Sequence, residues 1–279
     1  MELTTKVDIS GCKISLSHKD RILMLGSCFT DNIGSRLAGG GFDVTVNPYG
    51  TLYNPESIIN ALTSPTAEFM EWAQHPCEPL ATDTFDTVVI TFGTAWVYRL
   101  KSTGHVVANC KKQDGRLFDR QRLTVDAIVT KYVDFIEHFA IPRGQQLLFT
   151  VSPIRHKQDG LHANQLSKAT LLLAIDRLCQ LHPGCCHYFP SYEIMMDELR
   201  DYRFYADDML HPSSLAIDYI WQQLRRACFT TETDRLTDEF EALNRIMAHR
   251  PSDPDNPDYI KLVNNTREKI KQLKYAIQN

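Results

Sequence analysis

Apolar residues are concentrated in five short runs of this chain, and segments with helical spacing lie between the runs. Two of the runs, residues 87–92 and 146–151, are almost wholly apolar, which is typical of strands that are covered on both faces of a sheet. The other predicted strands are residues 21–25, 42–46 and 186–189. Because strands alternate with helical segments, the pattern predicts βαβ units with right-handed crossovers and a parallel sheet.

The predicted helices supply the outer layers of this fold. They are residues 30–37, 54–62, 124–139, 167–181, 193–199 and 214–228. Their apolar residues recur three or four positions apart, which places them on one side of a helix. We therefore predict an α/β fold, a three-layer αβα sandwich with a mostly parallel sheet of about five strands.

The amino-acid composition of the chain changes after residue 230. Its 279 residues, of which 43% are hydrophobic, are enough for one sizeable core. Beyond residue 230 apolar residues become sparse, residues 251–257 have the composition of a loop or linker, and residues 259–277 can form a helix. We predict one domain over residues 1–230 and a helical C-terminal extension over residues 231–279. The extension is expected to be dispensable for the core fold and to contribute to packing or to a homo-oligomer.

Composition and charge exclude several classes of function. The net charge is −4 with acidic and basic residues interspersed, so the chain offers no basic patch for nucleic acid or an anionic membrane. No apolar stretch approaches the roughly 20 residues that cross a bilayer, and the first residues lack the features of a secretory signal, so a cytoplasmic location is predicted. The eight cysteines include no CxxC pair, which argues against a disulfide framework, a zinc site and a thiol redox protein. We expect no metal and no cofactor.

Polar residues with distinctive chemistry follow several of the predicted strands. In open α/β sheets ligands bind beyond the carboxyl ends of the strands, so a site is expected there. Ser27 and Cys28 occupy the turn between the first strand and its helix. At this turn the helix N-terminus lowers the pKa of a thiol, and backbone N–H groups can hold an oxyanion. The turn also fits a structural interpretation, with Ser27 as the helix N-cap and Cys28 as a small buried filler.

A second candidate segment is the loop that contains Asp208 and His211. Pro212 keeps His211 out of helical geometry, and Ser213 or Ser214 can cap the helix that follows. A carboxylate three residues before a histidine can bind the imidazole Nδ1 atom and fix its tautomer. An isolated pair with this spacing is more often a helix-capping segment. Its place in the last βα loop, together with the first-strand turn, indicates a catalytic pair.

These motifs resemble those of a known superfamily of esterases. The first-strand turn and the late Asp-x-x-His are similar to the two ends of the SGNH, or GDSL-type, esterase pattern. The chain resembles the GSCFA family more closely, since residues 26–29 read Gly-Ser-Cys-Phe, with Thr30 where the family name has alanine. Further similar stretches are residues 93–98, 107–112, 152–156 and 208–213. The resemblance covers about residues 5–225, and it implies the SGNH fold and an ester-hydrolase-like site without implying a substrate.

The resemblance implies roles for four residues. Aligning the turns places Cys28 at the position of the esterase serine and Ser27 at the position of its aspartate. We therefore favour Cys28 as the nucleophile, although a one-residue shift of the turn would bring Ser27 inward instead. His211 would be the general base, and Asp208 would orient it.

The expected oxyanion hole departs from the SGNH pattern. The third-strand exit of SGNH enzymes carries Gly-x-Asn-Asp, whose asparagine donates to the oxyanion, whereas Ala95 and Trp96 stand there in this chain. Asn109 is the candidate replacement, and Gly50 is the candidate second donor. An asparagine that binds its own turn is an equally good interpretation of Asn109. The residues expected to converge at the carboxyl edge of the sheet are Ser27, Cys28, Gly50, Asn109 and His211.

Three further residues are candidates for binding the substrate. Arg155 and His156 leave the fourth strand, where the guanidinium could hold a carboxylate or phosphate in a bidentate way, although an ordinary surface ion pair is as good an interpretation. Trp96 is expected to contact the substrate at the third-strand exit. The resulting hypothesis is a hydrolase or acyltransferase for a small-molecule acyl ester, such as an acylated carbohydrate. The alternative is a non-catalytic ligand-binding or assembly module that keeps the fold.

Overall fold

A computed structural model describes residues 5–63, 65–251, 253 and 255–278. Within these residues the strands are β1 (Arg21–Gly26), β2 (Asp43–Val46), β3 (Thr87–Phe92), β4 (Trp96–Leu100), β5 (Phe118–Arg122), β6 (Gln146–Val151) and β7 (Cys186–Phe189). The α-helices are α1 (Cys28–Gly39), α2 (Pro55–Thr63), α3 (Ala67–Trp72), α4 (Val125–Phe135), α5 (Leu161–Leu181), α6 (Ser191–Glu193), α7 (Ser214–Cys228), α8 (Thr231–Ala248) and α9 (Pro257–Gln278). Single π-helical turns continue α4 (Ile136–Ala140) and α6 (Ile194–Glu198).

Five strands form the central sheet, in the order β2-β1-β3-β6-β7. All of the neighbouring pairs in this sheet are parallel. The strand order reverses between β1 and β3, and sheets of this kind open a crevice for ligands at the reversal, beyond the carboxyl ends of the strands. Gly26 at the end of β1 pairs with Thr91 in β3. The β1–α1 turn therefore lies at this crevice.

Alternate residues of the central strands point to opposite faces of the sheet. Leu23 and Leu25 of β1 belong to a core shared with α2, α4 and α5, whereas Ile22 and Met24 belong to a core shared with α1 and α7. Strand β3 is buried along its whole length. The predicted three-layer αβα sandwich with a parallel sheet is confirmed.

A glycine is required where β1 ends. Gly26 has φ 154°, and a Cβ atom at this position would lie 2.4 Å from the backbone oxygen of Thr91. Non-bonded atoms do not approach so closely, so any side chain would push β1 away from β3. The absence of a side chain thus allows the β1–α1 turn to pack directly against the neighbouring strand.

The antiparallel hairpin of β4 and β5 is absent from the sequence-based prediction. Its strands pair from Trp96 with Arg122 to Leu100 with Phe118. The sequence of β5 lacks the alternation of apolar and polar residues that indicates a strand, because Phe118 is buried and the four residues after it are exposed and polar. The hairpin follows the end of β3 and forms one wall of the cavity described below.

The predicted helices are present, with some shifted ends. Helix α7 has the predicted bounds, whereas α5 begins at Leu161, before the predicted start at residue 167. Leu161 and Leu166 in the first turns are exposed, so the apolar periodicity of α5 begins late. Helix α3 is not predicted because, of its six residues, Phe69 alone is buried. None of the helices in the described part of the chain is long and apolar enough to span a membrane.

The C-terminal extension contains α8 and α9, as predicted, and α8 packs closely on the domain that precedes it. Phe240 of α8 is 1% exposed and stacks beside His18. A Cβ atom on Gly41 would lie 2.3 Å from the Phe240 ring, so the turn between α1 and β2 fits closely over this ring. Asn244 donates from Nδ2 to a backbone oxygen of α1 at 2.6 Å. Helix α8 therefore shares the core of the domain, and the dispensability of the extension stays a prediction.

Candidate active site

The β1–α1 turn holds Ser27 in a structural position. Its Oγ atom accepts a hydrogen bond from the Phe29 N–H at 3.3 Å and donates to Ser152 Oγ at 3.0 Å. Ser27 is 1% exposed and is the N-cap of α1. Its hydroxyl is therefore occupied at the helix start and at the end of β6, as the structural interpretation of this residue proposed.

Cys28 follows as the first residue of α1, and its thiol faces the histidine predicted to be the base. The Cys28 Sγ atom lies 3.5 Å from His211 Nε2. Cys28 is half-buried and His211 is exposed. This distance suits a hydrogen bond between a thiol and an imidazole, so the two residues are placed for proton transfer.

Asp208 orients the imidazole. Its Oδ2 atom lies 2.5 Å from His211 Nδ1, and its Oδ1 atom accepts the backbone N–H groups of Leu210 at 2.8 Å and His211 at 2.9 Å. These donors, the His211 backbone N–H first, lower the pKa of Asp208 to about 2. Because a carboxylate only accepts, the imidazole directs a protonated Nδ1 toward Asp208, and Nε2 is the ring nitrogen that faces Cys28.

Backbone hydrogen bonds hold the Asp208–His211 loop against the sheet. The N–H of Ala206 donates to the His211 oxygen at 2.8 Å, which closes the loop across its ends. The N–H of Arg155, just after β6, donates to the Leu210 oxygen at 3.2 Å. The loop is thus attached to the carboxyl end of a core strand, which explains how residues so distant in sequence keep a fixed separation.

The pKa of the Cys28 thiol is raised, whereas the sequence suggests a lowered one. Burial and then the nearby Asp31 carboxylate raise the pKa of Cys28. The N–H groups of Cys28 and Phe29 at the helix start lower this pKa, as expected from the sequence, but burial has the larger effect. A nucleophilic Cys28 therefore needs His211 to remove its proton.

Cys28 and His211 open into a cavity of about 650 Å³. The hairpin contributes Trp96, Tyr98 and Phe118 to its wall, and Tyr53 adds a fourth aromatic ring. Polar and charged lining residues include Asn109, Lys112, Arg120, Arg155 and His156. A cavity of this size admits a small molecule beside the thiol.

Comparison with protein families identifies the chain. A family model described as the GSCFA family matches residues 21–75 and 73–224. The chain belongs to the GSCFA family. The resemblance seen in the sequence is confirmed, and the matched region spans the turn with Cys28 and the loop with His211. A comparison with curated proteins gives no significant match.

Several solved structures are similar to the GSCFA chain at low sequence identity. A catalytic mutant of an acetylxylan esterase from Geobacillus stearothermophilus has 10% identity and a TM-score of 0.49, covering 78% of this chain and 98% of that one. An α/β hydrolase from the metagenome of Lake Arreo, Spain, has 11% identity and a TM-score of 0.48, covering 77% and 99%. A GDSL-like lipase from Bacteroides thetaiotaomicron has 12% identity and a TM-score of 0.45, covering 78% and 92%.

Gly50 is not placed to serve as the predicted oxyanion donor. Its N–H donates to the Asn47 oxygen at 2.8 Å, and Gly50 is not among the described residues that line the cavity. A glycine stands here because φ is 84° and because a Cβ atom would lie 2.4 Å from the Gln74 side chain. The structure therefore does not bring the Gly50 N–H group to the cavity, because the turn already uses this group.

Asn109 lies in the cavity wall of the GSCFA chain, and it also forms the turn that was the alternative interpretation. Its Oδ1 atom accepts the Lys111 N–H at 2.8 Å. Its Nδ2 group therefore supplies donors for another acceptor. The N–H groups of Gly93 and Thr94 at the third-strand exit both donate to the Tyr53 oxygen. The role of Asn109 Nδ2 as an oxyanion donor stays a prediction. The Cys28 N–H is a further donor at the turn, since helix geometry leaves it without an intrahelical acceptor.

Arg155, His156 and Trp96 all reach the cavity. The Arg155 guanidinium lies 4.0 Å from the centre of the Tyr205 ring, and its Nε donates to the Tyr205 hydroxyl at 3.1 Å. Burial, followed by the nearby Lys168 cation, lowers the pKa of His156 to about 3, so this imidazole is neutral at ordinary pH. The structure places these residues around the same cavity as Cys28 and His211, and their contact with a substrate stays a prediction.

Lys168 is a residue of the site that the sequence analysis does not single out. It is 1% exposed, and its Nζ atom donates to the Gly93 oxygen at 2.7 Å and the Ser152 oxygen at 2.6 Å. It thus joins the ends of β3 and β6 behind the cavity. Burial lowers its pKa to about 7. Leu171 and Ile175, three and seven positions later on the buried face of α5, are the signal that could have identified it.

Proposed function

We propose that this protein is a thiol-dependent acyl hydrolase or acyltransferase that acts on small-molecule acyl esters. The observation that carries the proposal is the chain of contacts from Cys28 Sγ to His211 Nε2 and from His211 Nδ1 to Asp208. This order of nucleophile, base and orienting carboxylate is the arrangement that acyl transfer requires. An acylated carbohydrate is one substrate of this class.

In the first half of the reaction Sγ attacks the ester carbonyl carbon while Nε2 takes the thiol proton. The tetrahedral oxyanion accepts hydrogen bonds from the Cys28 N–H and from Asn109 Nδ2. The imidazolium then gives its proton to the departing alcohol oxygen as the carbon–oxygen bond breaks, which leaves a thioester on Cys28. Asp208 remains ionised throughout and stabilises the imidazolium.

In the second half a water molecule or a second alcohol attacks the thioester while Nε2 takes its proton. The carbon–sulfur bond breaks, the proton returns to Sγ, and an acid or a new ester leaves. Water gives hydrolysis and an alcohol gives transfer, so the identity of the acceptor decides between the two activities.

The test compares three single variants with a chromogenic acetyl ester. Cys28→Ala and His211→Ala should abolish turnover above the buffer rate, whereas Ser27→Ala should keep turnover and lose stability, because Ser27 caps α1. Rapid acid quenching followed by peptide mass spectrometry should find the acyl group on Cys28. Turnover that survives Cys28→Ala and fails in Ser27→Ala would transfer the nucleophile role to Ser27.

A non-catalytic binding module is the second candidate, and two observations favour it. The N–H groups at the third-strand exit are occupied by Tyr53, and the pKa of Cys28 is raised. If wild type and all three variants hydrolyse every ester tested at the buffer rate, the catalytic proposal fails. If these proteins nevertheless bind acyl esters in the cavity, the binding would support this second candidate.

A further inference from the structure

A buried carboxylate joins α2 to the hairpin that forms the cavity wall. Glu56 is 7% exposed, and it lies in the first turn of α2, where the helix N-terminus favours negative charge. Its Oε2 atom accepts a hydrogen bond from Arg99 Nη2 at 3.0 Å, and its Oε1 atom accepts one from Lys131 Nζ at 2.7 Å. Loss of a partner would leave a buried charge without compensation, so these contacts resist separation.

Arg99 lies on the face of β4 that points away from the cavity. Successive residues of a strand point to opposite faces. Trp96 and Tyr98 of β4 line the cavity, whereas Arg99 is not among the described residues that line it. Arg99 also binds its own hairpin, since its Nη1 atom donates to the Gly104 oxygen at 3.3 Å. The guanidinium therefore connects the hairpin to α2 from the side opposite the substrate space.

The residues around the start of α2 also contact the turn that carries the thiol and other parts of the wall. The N–H of Leu52 donates at 2.9 Å to the oxygen of Gly26, where β1 ends and the turn begins. The Tyr53 oxygen accepts the two N–H groups at the third-strand exit, from which the hairpin starts. Ser57 Oγ donates to the Val107 oxygen at 3.2 Å, in the segment that follows β4. Residues 52–57 therefore join the hairpin wall to the turn with the thiol.

We propose that Glu56 is a positioning residue that fixes the hairpin wall relative to Cys28, and that it governs substrate binding without taking part in the chemical step. The inference rests on the proposed function for its kinetic test. Glu56 acts through Arg99, and neither residue is among the described residues that line the cavity. Lys131 belongs to α4 and binds the other oxygen of the carboxylate, so its ion pair with Glu56 does not include the hairpin.

The first experiment measures kcat and KM for the chromogenic acetyl ester. Glu56→Gln and Arg99→Met remove the ion pair with the hairpin. Lys131→Met is the matched control, because it removes the other cation from the same carboxylate. We expect KM to rise about tenfold in the first two variants, with kcat within about twofold of wild type, and both constants to stay within about twofold in the control. Arg99→Lys keeps the positive charge and should restore part of the KM.

Thiol alkylation reports on the position of the wall without any catalysis. Cys110 is half-buried and lines the cavity, Cys77 is exposed, and Cys185 is buried in the core. Peptide mass spectrometry after timed treatment with iodoacetamide gives the alkylation rate of each thiol. In Glu56→Gln the rate at Cys110 relative to Cys77 should rise about tenfold, while Cys185 stays protected because the core remains folded. Lys131→Met should leave this ratio unchanged.

The two readouts separate this inference from the catalytic proposal. If wild type hydrolyses no ester, the catalytic proposal fails and the alkylation ratio alone decides the inference. An unchanged Cys110 ratio in folded Glu56→Gln protein would overturn the inference whether or not esters are hydrolysed. In an active enzyme, an unchanged KM, a fall in kcat alone, or equal changes in Glu56→Gln and Lys131→Met would also overturn it. If Glu56→Gln does not fold, Arg99→Met provides the same two tests.

Discussion

Replacing Lys168 by methionine tests whether water is excluded from the junction where Lys168 joins the ends of β3 and β6. Methionine has a similar length and no charge, so it fills the space of the lysine stem. The change removes both hydrogen bonds from Nζ, to Gly93 and Ser152. Each buried carbonyl left without a donor costs about 1–3 kcal/mol. Against this, the variant no longer has to bury an ammonium.

The pH dependence separates these two effects. Burial lowers the pKa of Lys168 from 10.5 to about 7. Between these values the unfolded chain holds more protons than the folded protein, so burial of the lysine opposes folding most at low pH and progressively less as the pH rises. From pH 7 to pH 9 the contribution of this one group to the free energy of unfolding increases by about 2 kcal/mol. The methionine variant lacks this increase.

The assay is urea unfolding at pH 7, 8 and 9 with a reducing agent present. The free energy of unfolding of wild type minus that of Lys168→Met should grow by about 2 kcal/mol across this range. Titration of cysteines and tyrosines is shared by both proteins and cancels in the difference. Lys19→Met, at an exposed position, is the control and should give a difference that does not depend on pH. A difference for Lys168→Met that is equally flat would show that the folded protein keeps a hydrated lysine, and the argument for a dry junction would be wrong.

Three other changes probe the Asp208 carboxylate, the first turn and the C-terminal helices. Asp208→Asn should lower kcat/KM by about 100-fold or more near neutral pH, measured with the chromogenic ester, because an amide NH2 group can donate to Nδ1 and fix the wrong tautomer, and because the uncharged amide no longer stabilises the imidazolium. Gly26→Ala should lower the free energy of unfolding by about 3 kcal/mol in urea titrations, since its Cβ atom meets a carbonyl of β3. Gly39→Ala, where a Cβ atom meets nothing within 4 Å, should be neutral or slightly stabilising. Removing residues 231–279 should lower the thermal midpoint far more than removing residues 257–279, because the first truncation takes away a buried phenylalanine and the second does not.

Each of these expectations has an outcome that contradicts it. Asp208→Asn activity within a few-fold of wild type would mean that the carboxylate does not orient the base. Equal stability of the Gly26 and Gly39 variants would refute the close approach of β1 to β3. Equal midpoints for the two truncations would favour the dispensable extension expected from the sequence. A change of oligomeric state that accompanies only the shorter truncation would place self-association on α9.

The sheet could be predicted because its signal is local. Residues 87–92 and 146–151 are apolar on both sides of the strand, which is a property of each segment alone. The carboxyl ends of parallel strands share one edge, so the turn with Cys28 could be expected near the loop with His211 before any distance was known. The pattern thus predicted the fold and the pairing of thiol and imidazole.

The hairpin and the packing of α8 could not be predicted, since their partners are remote. Strand β5 is stabilised by pairing with β4 and shows almost no apolar alternation of its own. Phe240 is buried because Gly41 leaves room for its ring, and nothing near Phe240 in the sequence indicates that contact. Sparse apolar residues therefore suggested an extension dispensable for the core fold, whereas the structure buries Phe240 and Leu243 of α8.

The roles of individual polar groups were decided by contacts across the fold. Ser27 and Cys28 are neighbours on one turn, and the local pattern suits either as the nucleophile. Ser152, far along the chain, accepts the Ser27 hydroxyl, while the thiol is left facing His211. For Gly50 the contact is local instead, because its N–H donates to the Asn47 oxygen within its own turn. A sequence shows which groups can donate or accept, but a hydrogen bond also needs a partner at the right distance and angle, and only the packed chain supplies it.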